Sequence, residues 1–173
     1  MIELVSPYVH YFNRGVNKEA IFFSDINYDY LLNLIYRFLP DYSIELIAYC
    51  LMPNHYHLLL KIDSLQTGSK FIQRLFNAYT QGVNRIEKRV GTLFQGSVKK
   101  RFIESEDYLR ETIRYIHQNP VKFGLVLKPE AWNYSDYSEW IGIKSSKRQI
   151  FRQCLSLFGS VEEYKKWIQI LSE

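Results

Sequence analysis

Apolar and polar residues along this chain follow two periods, and the switches between them lay out its elements. From Tyr8 to Val16 aromatic and β-branched residues predict a first strand that ends at the turn-like Gly15-Val16-Asn17. Ser24-Asp25 supplies an N-cap, and from Tyr28 to Leu39 the positions Leu31, Leu32, Ile35, Phe38 and Leu39 recur at helical spacing until Pro40 stops them. Two apolar-rich strands follow, Ser43 to Leu51 and His55 to Ile62, joined by Met52-Pro53-Asn54, a link short enough for an antiparallel hairpin. Gly68-Ser69 leads into a long helical pattern through Ile72, Leu75, Phe76, Tyr79, Val83 and Ile86, with Gly91 as the expected residue closing its C-terminus. Ser97 to Ile103 alternates basic and apolar residues as an edge strand. Ser105-Glu106-Asp107 then caps a third helix, with acids in its first turn, that ends at Asn119-Pro120.

The order strand, helix, strand, strand, helix, strand, helix predicts an α+β fold: a ferredoxin-like antiparallel sheet packed with helices. After Gly124 the chain changes character. Residues 1–128 form the expected main domain, and residues 129–173 an aromatic-rich linker and short C-terminal helical tail. That tail holds Trp132, Tyr134, Tyr137 and Trp140, then helical patterns from Phe151 to Phe158 and from Val161 to Leu171. It is expected to pack on the body or on a partner. No internal repeat or low-complexity tract interrupts the pattern.

Composition narrows this picture only modestly. At 173 residues the chain fits one ordinary domain with a continuous core, and 47% hydrophobic residues argue against disorder. The 16% aromatic share leaves rings free for stacking, and a net charge of +4 suits an anionic partner without identifying one. Cys50 and Cys154 lie far apart without CxxC spacing, so neither a zinc ribbon nor a disulfide framework is indicated, and a cytoplasmic location is expected. No apolar run approaches the roughly 18 residues of a membrane span, and no apolar leader is evident at the N-terminus.

Chemistry concentrates in two places. His55 and His57, two of four histidines, are spaced i, i+2 on a strand. Their side chains share a face about 6 to 7 Å apart, while Tyr56, Leu58, Leu60 and Ile62 back onto the core. Spacing alone leaves open whether the pair binds a metal or only hydrogen-bonds in a half-buried sheet. Tyr115 and Asn119, at i, i+4, are neighbours on one helix face beside the apolar stripe Leu109, Ile113 and Ile116. They too have a plain reading, as a stripe-edge tyrosine and a helix cap.

A tyrosine with an ordinary pKa near 10 needs a metal or a base to act as a nucleophile at neutral pH. Two imidazoles and an amide offer three donors and leave positions open on an octahedral ion, which suits Mn²⁺ or Mg²⁺ better than Zn²⁺.

Basic residues gather at Lys70, Arg74, Arg85, Lys88 and Arg89, which read as a solvated helix face. A second group, Lys99, Lys100 and Arg101 on the fourth strand, is expected to meet phosphates. Arg14, in the Asn13-Arg14-Gly15 turn, could hold another. Phe94 and Phe102 could stack bases or fill core. His10 reads as structural, and His117 points away from the Tyr115 face.

Several ordered motifs go beyond these spacings. Ala48-Tyr49-Cys50-Leu51-Met52-Pro53-Asn54-His55-Tyr56-His57, Gly91-Thr92-Leu93-Phe94-Gln95-Gly96 and Tyr115-Ile116-His117-Gln118-Asn119-Pro120-Val121 resemble the REP-associated tyrosine transposases. These belong with the insertion-sequence single-tyrosine transposases in the HUH endonuclease superfamily. Asn13-Arg14-Gly15 and Trp132-Asn133-Tyr134-Ser135-Asp136-Tyr137 extend the resemblance over about residues 8 to 141.

The resemblance implies an HUH-type ferredoxin-like fold, with residues 1–128 as the catalytic domain. It implies that His55 and His57 bind Mg²⁺ or Mn²⁺, that Asn119 takes the third ligand position, glutamine in some relatives, and that Tyr115 is the nucleophile. The implied partner is single-stranded or hairpin DNA formed by palindromic repeats. Attack by Tyr115 would leave a 5′-phosphotyrosine and a free 3′-hydroxyl, so strand transfer needs no ATP. The implied function is a DNA transposase, acting in the cytoplasm on the nucleoid. His117-Gln118 departs from the residues more usual in relatives.

Two other readings compete: a domesticated hairpin-binding protein with little turnover, and a hydrolytic nuclease in which water attacks. Relatives include dimers that exchange helices and others thought to act as monomers. Both monomer and homodimer stay open.

Overall fold

The computed structural model describes residues 8–146 and 148–169. Strands β1 (Tyr8–Arg14), β2 (Ile44–Met52), β3 (His55–Ile62) and β4 (Lys99–Ile103) form one sheet in the order β2-β3-β1-β4, antiparallel throughout. Helix α1 (Asp25–Phe38) connects β1 to β2, and α2 (Leu65–Ile86) connects β3 to β4. This is the ferredoxin-like plan that the order of periods predicted.

Alternation along each strand divides the sheet between two cores. On one face Val9, Tyr11, Tyr49, Leu51, Tyr56, Leu58, Leu60 and Ile62 pack against the apolar stripes of α1 and α2. On the other, Ile47, Ala48, Cys50, Met52 and Leu59 receive Leu109, Ile113 and Ile116 of α3 (Glu106–Lys122). A bulge between Leu46 and Ala48 lets Leu46 serve the first core and both Ile47 and Ala48 the second. Each fully buried Leu or Ile contributes about 1.5 to 3 kcal/mol, so both faces hold the sheet firmly.

The second core is completed from the C-terminal segment. Tyr137 and Trp140 of α4 (Tyr137–Trp140), Ile150 and Phe158 of α5 (Ile150–Phe158), and Tyr164 and Ile168 of α6 (Val161–Gln169) join it. The aromatic linker therefore packs on the body: the Trp132 indole N–H donates to the Leu51 carbonyl at 2.9 Å, and Arg148 reaches the Leu46 carbonyl at 2.9 Å. The expected helix end at Leu171 lies outside the described residues, as does the side chain of Cys154.

The strand ends shift by one or two residues from the sequence expectation, and three helix boundaries differ by more. Helix α2 begins at Leu65, because the Ser64 hydroxyl accepts from the Thr67 N–H at 3.2 Å and caps it there. Gly68 is inside the first turn, where a Cβ would come within 2.5 Å of the Tyr11 hydroxyl, so it permits close approach to the sheet and does not break the helix. Gly91 does not close α2, which ends at Ile86, with Lys88 taking the left-handed conformation at φ 52°. Helix α3 continues past Asn119 to Lys122 with Pro120 inside it. A proline there removes one bond near the C-terminal end, and the Phe123 N–H still reaches the Asn119 carbonyl at 3.0 Å.

Candidate active site

The turn Pro53-Asn54 sets the start of β3, and β1 holds that turn in place: the Gly15 N–H donates to the Asn54 carbonyl at 2.9 Å. In this register His55 lies opposite Arg14 and His57 opposite Phe12, while His10 on β1 lies opposite Leu59 and Arg101. His10, His55 and His57 thus share the face covered by α3. His57 Nδ1 is 2.9 Å from His10 Nε2, and the His55 and His57 rings stand nearly perpendicular, with centroids 5.2 Å apart.

Helix α3 supplies the other half. Its start is fixed by Ser105, whose hydroxyl accepts from the Tyr108 N–H at 3.1 Å, and by Glu106 and Asp107 facing the positive helix end. Leu109, Ile113 and Ile116 bury one stripe, leaving Tyr115 at the margin, 41% exposed, with its ring 5.3 Å from that of His57. One turn on, Asn119 is fully buried, with Oδ1 2.9 Å from His55 Nε2. A further turn brings Lys122 Nζ to 5.3 Å from the centre of the Tyr115 ring and Phe123 to 5.1 Å from His55.

Burial favours neutral imidazoles here. It pushes His57 well below its ordinary range, with His10 and His55 adding to the effect. His55 is also lowered by burial, an effect that its contact with Asn119 opposes. Burial and then Arg101 bring His10 down to about 4. Neutral imidazole is the form that binds metal.

The donor set fits a divalent cation. Among the described residues no group of three or more His, Cys, Asp or Glu could hold a metal ion, and the Asn119 amide oxygen, 2.9 Å from His55 Nε2, is the donor nearest to hand for a third position. His55 Nδ1 faces the Asn54 side-chain oxygen at 2.7 Å while Nε2 faces that of Asn119 at 2.9 Å. A neutral imidazole has a single N–H, so it can donate to only one of them. A cation between Nε2 and the Asn119 oxygen would satisfy both lone pairs, and neighbouring ligands of an octahedral ion with bonds near 2.1 Å lie about 3 Å apart. His57 Nε2 is buried and has no hydrogen-bond partner among the described residues, as a free ligand atom would.

Around these groups lies a cleft of about 490 Å³, lined among others by Arg14, Lys18, Gln95, Lys99, Tyr115 and Phe123. A smaller one of about 280 Å³ adjoins it, with Tyr115 in both linings and Arg101 and Lys122 in the second. The basic strand divides by its alternation. Lys99 and Arg101 face the site, whereas Lys100 lines a groove against α2. Arg14 Nε donates to Gln95 Oε1 at 3.1 Å. Phe94 packs against Tyr56 and Phe76, and Phe102, half-exposed, lies opposite Val9 on the face away from the histidines. On α2, Arg74 pairs with Asp41 at 2.7 Å.

Sequence reasoning missed His10 as a partner of His57, together with Gln95, Lys122 and Phe123. The period-2 pattern of β1 already put His10 on the face of Arg14, but only the β1–β3 register shows what it meets. Lys122 and Phe123 were hidden by ending the helix at proline.

Comparison with known proteins gives the family and the fold. The family described as "Transposase IS200 like" matches residues 4–119. A Haemophilus influenzae protein named "Putative REP-associated tyrosine transposase" is 25% identical over 148 residues, 73% of this chain and 84% of that one. The solved structure of a REP-associated tyrosine transposase bound to a REP hairpin matches with a TM-score of 0.67, covering 79% of each chain at 18% identity. At that identity the likeness is one of fold.

Proposed function

From the chain's membership of the IS200-like transposase family, we propose that it is a single-tyrosine DNA transposase, a metal-dependent endonuclease and strand transferase acting on single-stranded or hairpin DNA. The observation that carries this reading is the Tyr115 ring 5.3 Å from His57, in a cleft where His55 meets Asn119 at 2.9 Å. The hairpin bound by the solved relative supports the substrate class.

His55, His57 and Asn119 would hold Mg²⁺ or Mn²⁺, which when bound supplies Lewis-acid polarisation of a phosphate oxygen. Arg14, Lys99 and Arg101 draw the DNA backbone along the cleft, and Phe123 offers a face for an unpaired base. The Tyr115 oxygen attacks phosphorus. Its O–P bond forms as the P–O3′ bond breaks, leaving a 5′-phosphotyrosine and a 3′-hydroxyl. The phenol proton leaves to solvent, which reaches the half-exposed ring, and the departing 3′ oxygen gains a proton. The number of phosphate esters is unchanged, so a 3′-hydroxyl can reverse the step and rejoin strands without ATP.

Tyr115 packs against His57 of its own chain, ring centres 5.3 Å apart, which supports a site completed in cis. On this reading the protein works on the nucleoid in the cytoplasm. No described helix is long and apolar enough to cross a membrane.

Incubation of the protein with labelled hairpin DNA and Mn²⁺ should give a covalent adduct that survives denaturing electrophoresis, and Tyr115→Phe should abolish it. An unchanged adduct in that variant overturns the assignment of Tyr115. Cleavage without an adduct would make water the nucleophile, and binding without cleavage would make the protein a hairpin holder.

A further inference from the structure

We propose that His10 is a positioning residue that fixes the proton of His57 on Nδ1 and so keeps His57 Nε2 bare as a metal ligand. The proposal rests on the metal reading above and adds a residue to it. His10 reaches His57 across the sheet: it pairs with Leu59, two residues beyond His57 on the same face, and its Nε2 ends 2.9 Å from His57 Nδ1. Both rings are buried, His10 at 5% and His57 at 4% exposure.

The shared proton has two possible homes. If His10 Nε2–H donates, His57 Nδ1 accepts, and neutral His57 must carry its own proton on Nε2. That atom is buried with no partner among the described residues, so the N–H would be an unsatisfied donor. If His57 Nδ1–H donates, Nε2 keeps its lone pair and meets what a cation requires. In the second arrangement His10 does for His57 what Asn54 does for His55, whose Nδ1 lies 2.7 Å from the Asn54 amide oxygen. Each histidine then has an acceptor behind it that orients the ring and selects the tautomer.

The chemistry of the acceptor matters as well. A carboxylate behind a metal-bound imidazole adds negative charge, whereas neutral imidazole and amide add none. The bound cation would keep more of its charge for a phosphate than behind carboxylate-backed imidazoles. His10 also lies edge-on to Tyr115, ring centroids 6.3 Å apart, so it packs beside both ligand and nucleophile.

The test begins with the metal-free wild type labelled with ¹⁵N-histidine. Long-range ¹H–¹⁵N spectra at neutral pH, with His57 assigned by comparison with a His57→Gln sample, should show its proton on Nδ1. Mn²⁺ titration by calorimetry should then give His10→Phe an affinity about 10- to 100-fold below wild type. His10→Gln, whose side-chain carbonyl can accept the same hydrogen bond, should recover most of that loss. Thermal melts of the variants identify any loss that comes from unfolding, and the wild-type spectrum decides the tautomer whatever the variants do.

A proton on His57 Nε2, wild-type Mn²⁺ affinity in folded His10→Phe, or a folded His10→Gln no better than Phe would each overturn the proposal. A wild type that takes up no Mn²⁺ overturns the metal reading and this proposal with it. That result is distinct from failure of the His10 role alone, in which the wild type still binds the ion.

Discussion

His117 Nε2 lies 2.8 Å from Asp136 Oδ1, with both side chains fully buried, and this contact ties the helix bearing Tyr115 and Asn119 to the segment that follows it. Asp136 is saturated by its neighbours. Oδ1 also accepts the Tyr49 N–H at 2.8 Å, and Oδ2 accepts Trp140 Nε1 at 3.1 Å and Arg148 at 2.8 Å. The other side of the His117 ring, Nδ1, meets the Tyr164 hydroxyl on α6. One carboxylate therefore joins β2, α3, α4 and the approach to α5.

Asp136→Ala should cost about 3 kcal/mol, because it takes the carboxylate from buried His117 and from Arg148, which keeps Glu139 at 3.2 Å and the Leu46 carbonyl at 2.9 Å. Urea unfolding checks this. A loss below about 1 kcal/mol would show that the network is no stronger than a surface pair. Tyr115-dependent adduct formation should fall with it, since α3 loses its anchor.

The same carboxylate should make the fold sensitive to acid. Burial opposes its charge, but Arg148 and His117 outweigh that penalty and hold the Asp136 carboxyl below its ordinary value. Its stabilising contribution is therefore complete above the unfolded-state value near 3.9 and is lost as pH falls through the lower folded-state value. Between neutral pH and about pH 4 this group should contribute no slope. Below that, stability should fall more steeply in the wild type than in Asp136→Asn, measured by urea unfolding at a series of pH values.

Mixing two inactive proteins tests whether the site is completed within one chain. With Tyr115 and His57 of the same chain only 5.3 Å apart between ring centres, equal amounts of Tyr115→Phe and His57→Ala should form no adduct. Restored activity in the mixture would show that subunits exchange α3.

The alternation of β4 predicts unequal effects from neighbouring lysines. Lys99→Ala should weaken hairpin binding and lower the salt slope by about one. Lys100→Ala, on the face toward α2, should change both less. Equal effects would show that DNA runs over both faces of the edge strand.

At Gly82 in α2 an added Cβ would come 2.4 Å from the Tyr30 ring of α1. Alanine gains up to about 1 kcal/mol of helix propensity, yet overpacking costs about 1 to 3. Gly82→Ala should lower the melting temperature, and an increase would show that Tyr30 moves aside freely.

Local pattern carried much of the fold and part of the site. Tyr56, Leu58, Leu60 and Ile62 share a face with period 2, which leaves His55 and His57 on the other. The Leu109, Ile113 and Ile116 stripe orients α3 so that Tyr115 sits at its margin. What local pattern missed turned on competition between weak local signals and packing. Pro120 reads as a helix stop, but a proline costs little where few backbone bonds remain to be made. Gly68 reads as the lead-in to α2, but in the fold it lies inside the helix and admits the Tyr11 hydroxyl. Lys99, Lys100 and Arg101 read as one basic patch, and pairing with β1 sends them alternately to opposite faces.

The sequence by itself determined which residues could carry the chemistry, because side-chain type and the 2.0 and 3.6 periods are properties of a few consecutive residues. It determined the strand pair of histidines, the Tyr115–Asn119 helix pair and the ferredoxin-like order of elements. Only the tertiary structure decided that these pairs meet. The His55–Asn119 contact spans 64 residues, His10–His57 spans 47, and Lys99 faces the cleft only through β4's pairing with β1. Such contacts follow from strand register and from the seating of α3 on the sheet, which are set by the burial of whole faces and leave no mark within any one segment.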